Sequence, residues 1–160
     1  KLREDSFNEI YEFTSHGHDV LNRIENCDKT TIALTTGLAL GGGLELALSC
    51  DYRIGTRRTQ FRFPETSIGI YPGLGGTQRT ARICGVECAR YAVLAGNFID
   101  SSVAIDLGLL THKVKSSEVE STVASLVGKK PDQKYTKKPL NYESEVVSFA
   151  SDFYLSLIHI

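Results

Sequence analysis

Nine of the fourteen glycines fall between Gly37 and Gly76. Glycine in such density forbids long regular elements and lets backbone approach other groups closely. The run Gly41-Gly42-Gly43 breaks any helix that would cross it, and Leu-Glu-Leu-Ala-Leu behind it is a strong helix former. A helix must therefore begin at the triplet, with its first N–H groups unpaired and its positive dipole end facing outward. Glu45 lies in that first turn. Glu65 follows Pro64 in a second glycine-rich stretch that runs to Gly76.

The rest of the chain reads as alternating short elements, an α/β pattern. Ser6 to Asn26 predicts a helix weakened at Ser15-His16-Gly17-His18, and Thr31 to Thr36 a buried strand. Gly37 to Gly43 reads as a turn and Leu44 to Cys50 as a helix. Tyr52–Gly55 and Thr59–Phe63 read as strands, and Pro64–Gly76 as a loop. Helices follow at Thr77–Cys84 and Glu87–Ala95, split by Gly85, and at Ser101–Leu107, with Ser101 or Ser102 as N-cap. Leu110–Val114 reads as a last strand and Ser117–Val127 as a helix with a Ser117–Glu120 capping pattern. A Lys-rich, solvated linker over 129–140 separates this 1–128 core from a C-terminal helix in 141–160. Val146, Phe149, Ala150, Phe153 and Leu157 give that helix an apolar face suited to docking.

Composition narrows the function classes. At 41% hydrophobic and 23% charged, the 160 residues suit a globular domain. A formal net charge of -1 gives no electrostatic footprint for nucleic acid or an anionic membrane. Thr31 to Cys50 is apolar enough to suggest a membrane span, but Glu45 and the glycine triplet argue against it. Cys27, Cys50, Cys84 and Cys88 form no CxxC, and His16 and His18 lack carboxylate or thiol company, so no metal site is expected. Four reduced thiols suit a reducing compartment, the cytoplasm. The chain opens on Lys and holds no Met, which predicts that an N-terminal part is missing.

The glycine window supports a specific chemistry. Backbone N–H groups at the triplet can hold a developing oxyanion, and a carboxylate in a pocket can act as general acid or base. Two carboxylates on one substrate can serve the two ends of a double bond. On the residues alone, a dipole-favoured helix charge at Glu45 and a surface loop position at Glu65 stay open.

Three ordered segments carry a resemblance: Gly37-Leu-Ala-Leu-Gly-Gly-Gly-Leu-Glu-Leu-Ala-Leu-Ser-Cys-Asp51, Phe63-Pro-Glu-Thr-Ser-Ile-Gly-Ile-Tyr-Pro-Gly-Leu-Gly-Gly-Thr-Gln-Arg79, and Leu94-Ala-Gly-Asn-Phe-Ile-Asp-Ser-Ser-Val-Ala-Ile-Asp-Leu-Gly-Leu-Leu110. From Thr31 to Val114 the sequence resembles the crotonase superfamily of enoyl-CoA hydratases and isomerases. The resemblance implies a spiral of ββα units with C-terminal helices. It implies catalytic roles for Glu45 and Glu65 and an oxyanion-hole N–H at Gly42. Leu40, Gly41, Pro64, Pro72 and Gly73 would line the substrate site, with Gly73 beside the catalytic water. The implied reaction adds water to a 2-enoyl-CoA thioester in fatty-acid β-oxidation. Glu45 would activate water and Glu65 deliver the C2 proton, with no cofactor beyond the coenzyme A of the substrate. Isomerases of the superfamily commonly keep only the glutamate at the Glu65 position, so isomerisation is the alternative. The second oxyanion donor of the superfamily lies in an upstream loop that this sequence does not include, so a silent module that supports oligomerisation is a further reading. A homotrimer or hexamer is implied, and the tail after Lys129 resembles fusions with a hydroxyacyl-CoA dehydrogenase.

Overall fold

The computed structural model describes residues 4–132, 134 and 135. The expected C-terminal helix lies outside them. α1 (Glu4–Glu25) leads into β1 (Ile32–Thr35), β2 (Leu38–Leu40) and α2 (Gly42–Ser49). β3 (Tyr52–Gly55), β4 (Gln60–Arg62), α3 (Gly76–Cys84) and α4 (Val86–Ala95) follow. β5 (Ile99–Asp100), α5 (Ser101–Asp106), β6 (His112–Lys113) and α6 (Val119–Leu126) complete the order.

The strands divide between two three-stranded sheets, β1-β3-β6 and β2-β4-β5. β1 runs parallel to β3, with Ile32 opposite Tyr52, and β2 parallel to β4, with Ala39 opposite Phe61. Two successive β-β-α units thus each contribute one strand to each sheet, which is the α/β spiral implied by the resemblance. β4 also pairs antiparallel with β5, Phe61 opposite Ile99.

Between the sheets and helices lies a core of Leu44, Leu48, Phe61, Phe63, Ile99, Leu109 and Leu110 with their neighbours. Leu44, Leu48, Phe61 and Phe63 are wholly buried. Each such side chain contributes about 1.5–3 kcal/mol of transfer free energy, so α2 is fixed by its packing more than by its eight residues of helix propensity. That fixes where the triplet and Glu45 sit.

Buried polar groups tie the layers together. The Arg53 guanidinium on β3 donates to the carbonyls of Leu109, Cys50 and Gly108. Burial pulls its pKa down to about 10, still well above neutrality. Asp51 accepts from the Thr31 N–H and hydroxyl and pairs with Lys130 at 2.7 Å. Lys134 lies 3.6 Å from Asp51 and donates to the Glu25 and Ser49 carbonyls.

Several local expectations need correction. The Gly37–Gly43 turn contains β2, because Leu38 to Leu40 find a parallel partner in Gln60 to Arg62. α1 is the expected single helix and is continuous through Ser15-His16-Gly17-His18. The Pro64–Gly76 loop holds a 3₁₀ turn at Glu65–Ile68. α5 is capped by Asp100, whose carboxylate accepts from the Ser102 and Val103 N–H groups, so neither serine is the cap. The last strand shortens to two residues. Ahead of α6 the Lys115 N–H donates to Glu118 across a short 3₁₀ turn, and Glu118 is the α6 N-cap with no side-chain cap bond, in place of the expected Ser117–Glu120 pair. The described part of the Lys-rich stretch is not a solvated tether, since Lys130 and Lys134 dock on Asp51.

Candidate active site

α2 starts at the glycine triplet, as its sequence requires. Gly41, the N-cap, has φ +48° and ψ -122°, and no side chain caps the helix, so its first N–H groups have neither an intrahelical partner nor a side-chain cap. Gly42 and Gly43 are exposed, so those N–H groups face outward. Leu40 closes β2 and is partly exposed, while the Gly41 N–H is anchored on the Arg62 carbonyl at 3.0 Å.

One turn on, Glu45 is 2% exposed. Its Oε1 accepts from the Leu74 and Gly76 backbone N–H groups, each at 2.8 Å. Gly76 is the first residue of α3, so the carboxylate also meets the positive end of a second helix. Gly76 has to lack a side chain: a Cβ there would lie 2.9 Å from Glu45 Oε1 and 2.8 Å from the Phe63 ring. These donors to Glu45 are the part of the site that sequence reasoning missed, because Leu74 and Gly76 meet Glu45 only through a fold-back of 29 and 31 residues.

Glu65 opens the 3₁₀ turn behind Pro64, which holds φ near -79°. Its Oε1 reaches the triplet, to within 2.6 Å of the position a Gly41 Cβ would take. Its Oε2 is buried without a hydrogen-bond partner among the described residues. Burial pushes the Glu65 carboxyl up; its own backbone N–H opposes this, and the Glu45 charge adds to it. The structure thus brings Glu45, Glu65, Leu40, Gly41, Gly42 and Pro64 around one turn. Pro72 is buried in the loop between the 3₁₀ turn and α3, and Gly73 beside it is exposed, two residues before the Gly75 N-cap. Ile68, Ile70 and Tyr71, in the loop after Glu65, expose large apolar surfaces.

The other candidates play smaller parts. Cys84 ends α3 and Cys88 lies on α4, both buried. Among the described residues no group of three or more His, Cys, Asp or Glu side chains is placed to hold a metal. No described helix is long and apolar enough to cross a membrane.

A family model described as enoyl-CoA hydratase/isomerase matches residues 1–153. The chain belongs to this family. Similar proteins include a short-chain-enoyl-CoA hydratase of Clostridium acetobutylicum, 36% identical over 129 residues that cover 81% of this chain and 49% of that protein. Another is the fatty acid oxidation complex subunit alpha of Psychrobacter cryohalolentis, 30% identical over 92% of this chain and 22% of that protein. The crystal structure of an enoyl-CoA hydratase from Thermoplasma volcanium superimposes with a TM-score of 0.73 at 30% identity, covering 95% of this chain and 64% of that one. The chain spans about half the length of the Clostridium hydratase it matches. In the hydratase/isomerase family, then, this chain supplies the turn on which two glutamates and an open helix N-terminus meet.

Proposed function

We propose that the protein hydrates 2-enoyl-CoA thioesters. The observation that carries this reading is the pairing of two unlike carboxylates at one helix N-terminus. Glu45 is fixed by two backbone donors, and Glu65 holds a buried oxygen with no hydrogen-bond partner among the described residues. In this reading the thioester carbonyl oxygen docks on the Gly42 N–H, which stabilises enolate charge as the double bond is attacked. Glu45 takes a proton from water as its oxygen bonds to C3. Glu65, whose burial favours the protonated form, delivers a proton to C2. One water is added and no electrons change hands, so a base, an acid and an oxyanion hole suffice, and no resident cofactor is invoked.

The match to a fatty acid oxidation complex subunit supports a place in fatty-acid β-oxidation and a companion dehydrogenase domain. The exposed Phe7, Ile10, Tyr11 and Phe13 on α1 suit burial against further protein, in a trimer or hexamer. Four free thiols suit a reducing compartment, the cytoplasm.

Hydration of crotonyl-CoA by the intact protein tests the assignment. Glu45→Gln and Glu65→Gln should each lower kcat by about 10²–10⁴. Wild-type rates in both variants would overturn it. A Glu45→Gln enzyme that still turns over, with a shifted double bond as product, would make the reaction an isomerisation.

A further inference from the structure

We propose that Arg79 is a positioning residue for Glu45, acting through the backbone of Leu74 and anchored on α1. The inference rests on the reading that Glu45 activates water. Arg79 is 3% exposed, and its side-chain hydrogen bonds go to Leu74, Glu25 and Asn22 rather than to Glu45. Its Nη1 donates to the Leu74 carbonyl at 2.9 Å, and the Leu74 N–H donates to Glu45 Oε1 at 2.8 Å. The two polar groups of Leu74 therefore link the guanidinium to the carboxylate. The guanidinium also crowds the next residue, since a Cβ on Gly75 would lie 2.3 Å from Nη1. Gly75 adopts φ +95°, a conformation that leads straight into the Gly76 N–H, the second donor to Glu45.

The other nitrogens of the fork face α1. Nε donates to Glu25 at 2.8 Å and Nη2 to Asn22 at 2.9 Å. Glu25 in turn accepts from the Tyr135 hydroxyl. Burial pushes the Glu25 carboxyl up, but bonds from Tyr135 and Arg79 outweigh this and hold it below its ordinary value. A carboxylate so held offsets the Arg79 charge, so the influence of Arg79 on Glu45 is geometric rather than a matter of field. The Leu74 side chain has its own seat on α1: a Cβ on Gly17 would lie 2.5 Å from its Cδ2. Glycine is unfavourable inside a helix, and this contact accounts for its presence at position 17. Residue 74 is thus gripped at its N–H, its carbonyl and its side chain, and two of the three grips come from α1 or from an arginine tied to it. Only a planar guanidinium can serve Leu74, Glu25 and Asn22 together.

The test is a kinetic cycle on the intact protein with crotonyl-CoA, comparing wild type, Arg79→Lys, Glu45→Gln and the double variant. Arg79→Lys should lower kcat about 10–100-fold, as expected for a misplaced catalytic group, and leave KM within about twofold. In the Glu45→Gln background it should lower kcat no further, because a residue acting only through Glu45 has nothing left to position. Losses that multiply, or a raised KM at unchanged kcat, would overturn the proposal. If Arg79→Lys does not fold, Glu25→Gln loosens the same anchor and enters the same cycle with the same expectations. The Leu74 and Gly76 amide NMR resonances give a readout independent of turnover. They should move in Arg79→Lys, and resonances that stay put would overturn the linkage. Should Glu45→Gln keep wild-type kcat, the hydratase reading is what fails, and the amide shifts alone decide on Arg79.

Discussion

Glu45 and Glu65 flank the same glycine triplet and are held in opposite ways. Glu45 sits on a packed helix, 2% exposed, with two N–H donors on one oxygen. Glu65 sits on a 3₁₀ turn, partly exposed, and among the described residues one of its oxygens is buried without a hydrogen-bond partner. A base that must aim a water gains from rigidity, since misplacement by an ångström is expensive in rate. An acid that must meet a carbon gains from an unsatisfied oxygen that only substrate can use, at some loss of stability. Under the proposed hydration, the difference between the two surroundings is a division of labour.

The sharpest way to break the comparison is Gly76→Ala. The added carbon would press on Glu45 Cγ and Oε1 at 2.9 Å and on the Phe63 ring at 2.8 Å. Both neighbours are buried and cannot retreat. Thermal melts should show a loss of about 1–3 kcal/mol from overpacking, and kcat for hydration should fall roughly 100-fold. An alanine that changed neither would mean that Glu45 is as loosely held as Glu65.

Gly41→Ala is the matching probe on the other side and should do less. Its Cβ would lie 2.6 Å from Glu65 Oε1, but that atom is the end of a flexible chain and can swing away. The backbone is the harder part, because φ +48° is disfavoured for alanine by roughly 1–2 kcal/mol. We expect a stability loss of about that size, read from denaturant melts, with kcat falling about tenfold as Glu65 is displaced. A rate loss larger than that of Gly76→Ala would reverse the assignment of which glutamate is rigid.

These probes also show what was legible in the sequence. The triplet followed by strong helix formers defines where α2 begins and puts Glu45 in its first turn, because glycine and leucine differ locally in what they permit. The alternation of elements gives only an α/β pattern, and the β-β-α units come from the family resemblance. β2 and β5 could not be read from that pattern, since two or three residues become a strand only when a distant partner, here Gln60 to Arg62 or Phe61, supplies the ladder. Gly17 looked like a flaw in α1 and proves to be the seat of Leu74, 57 positions along the chain. Lys130 and Lys134 looked like solvated charge, and only the fold shows that Asp51 waits for them. Caps such as Asp100 were local misses, but Leu38–Leu40, Gly17, Lys130 and Lys134 escaped through long-range contacts, and both backbone donors that hold Glu45 are of that kind.

The smallest expected effect follows from the electrostatics of Glu65. Its carboxyl is raised by burial and by the Glu45 charge. A raised acid contributes stability below its unfolded pKa and loses that contribution as pH rises through the folded value. At neutral pH the ionised Glu65 therefore weakens the fold, and a neutral amide removes the penalty. Glu65→Gln should melt about 1–2 °C above wild type at pH 7, the gain kept small by solvent screening at this partly exposed group. The gap should close as pH falls below the ordinary glutamate value. Glu25 has the opposite sign: its carboxyl is lowered, so Glu25→Gln should melt below wild type at pH 7, and that deficit too should vanish in acid. Melts of the three proteins from pH 7 to pH 3 check both signs. If Glu65→Gln melted below wild type at neutral pH, Glu65 would be held by bonds in the manner of Glu45, and its buried Oε2 would not be the free acid that the division of labour needs.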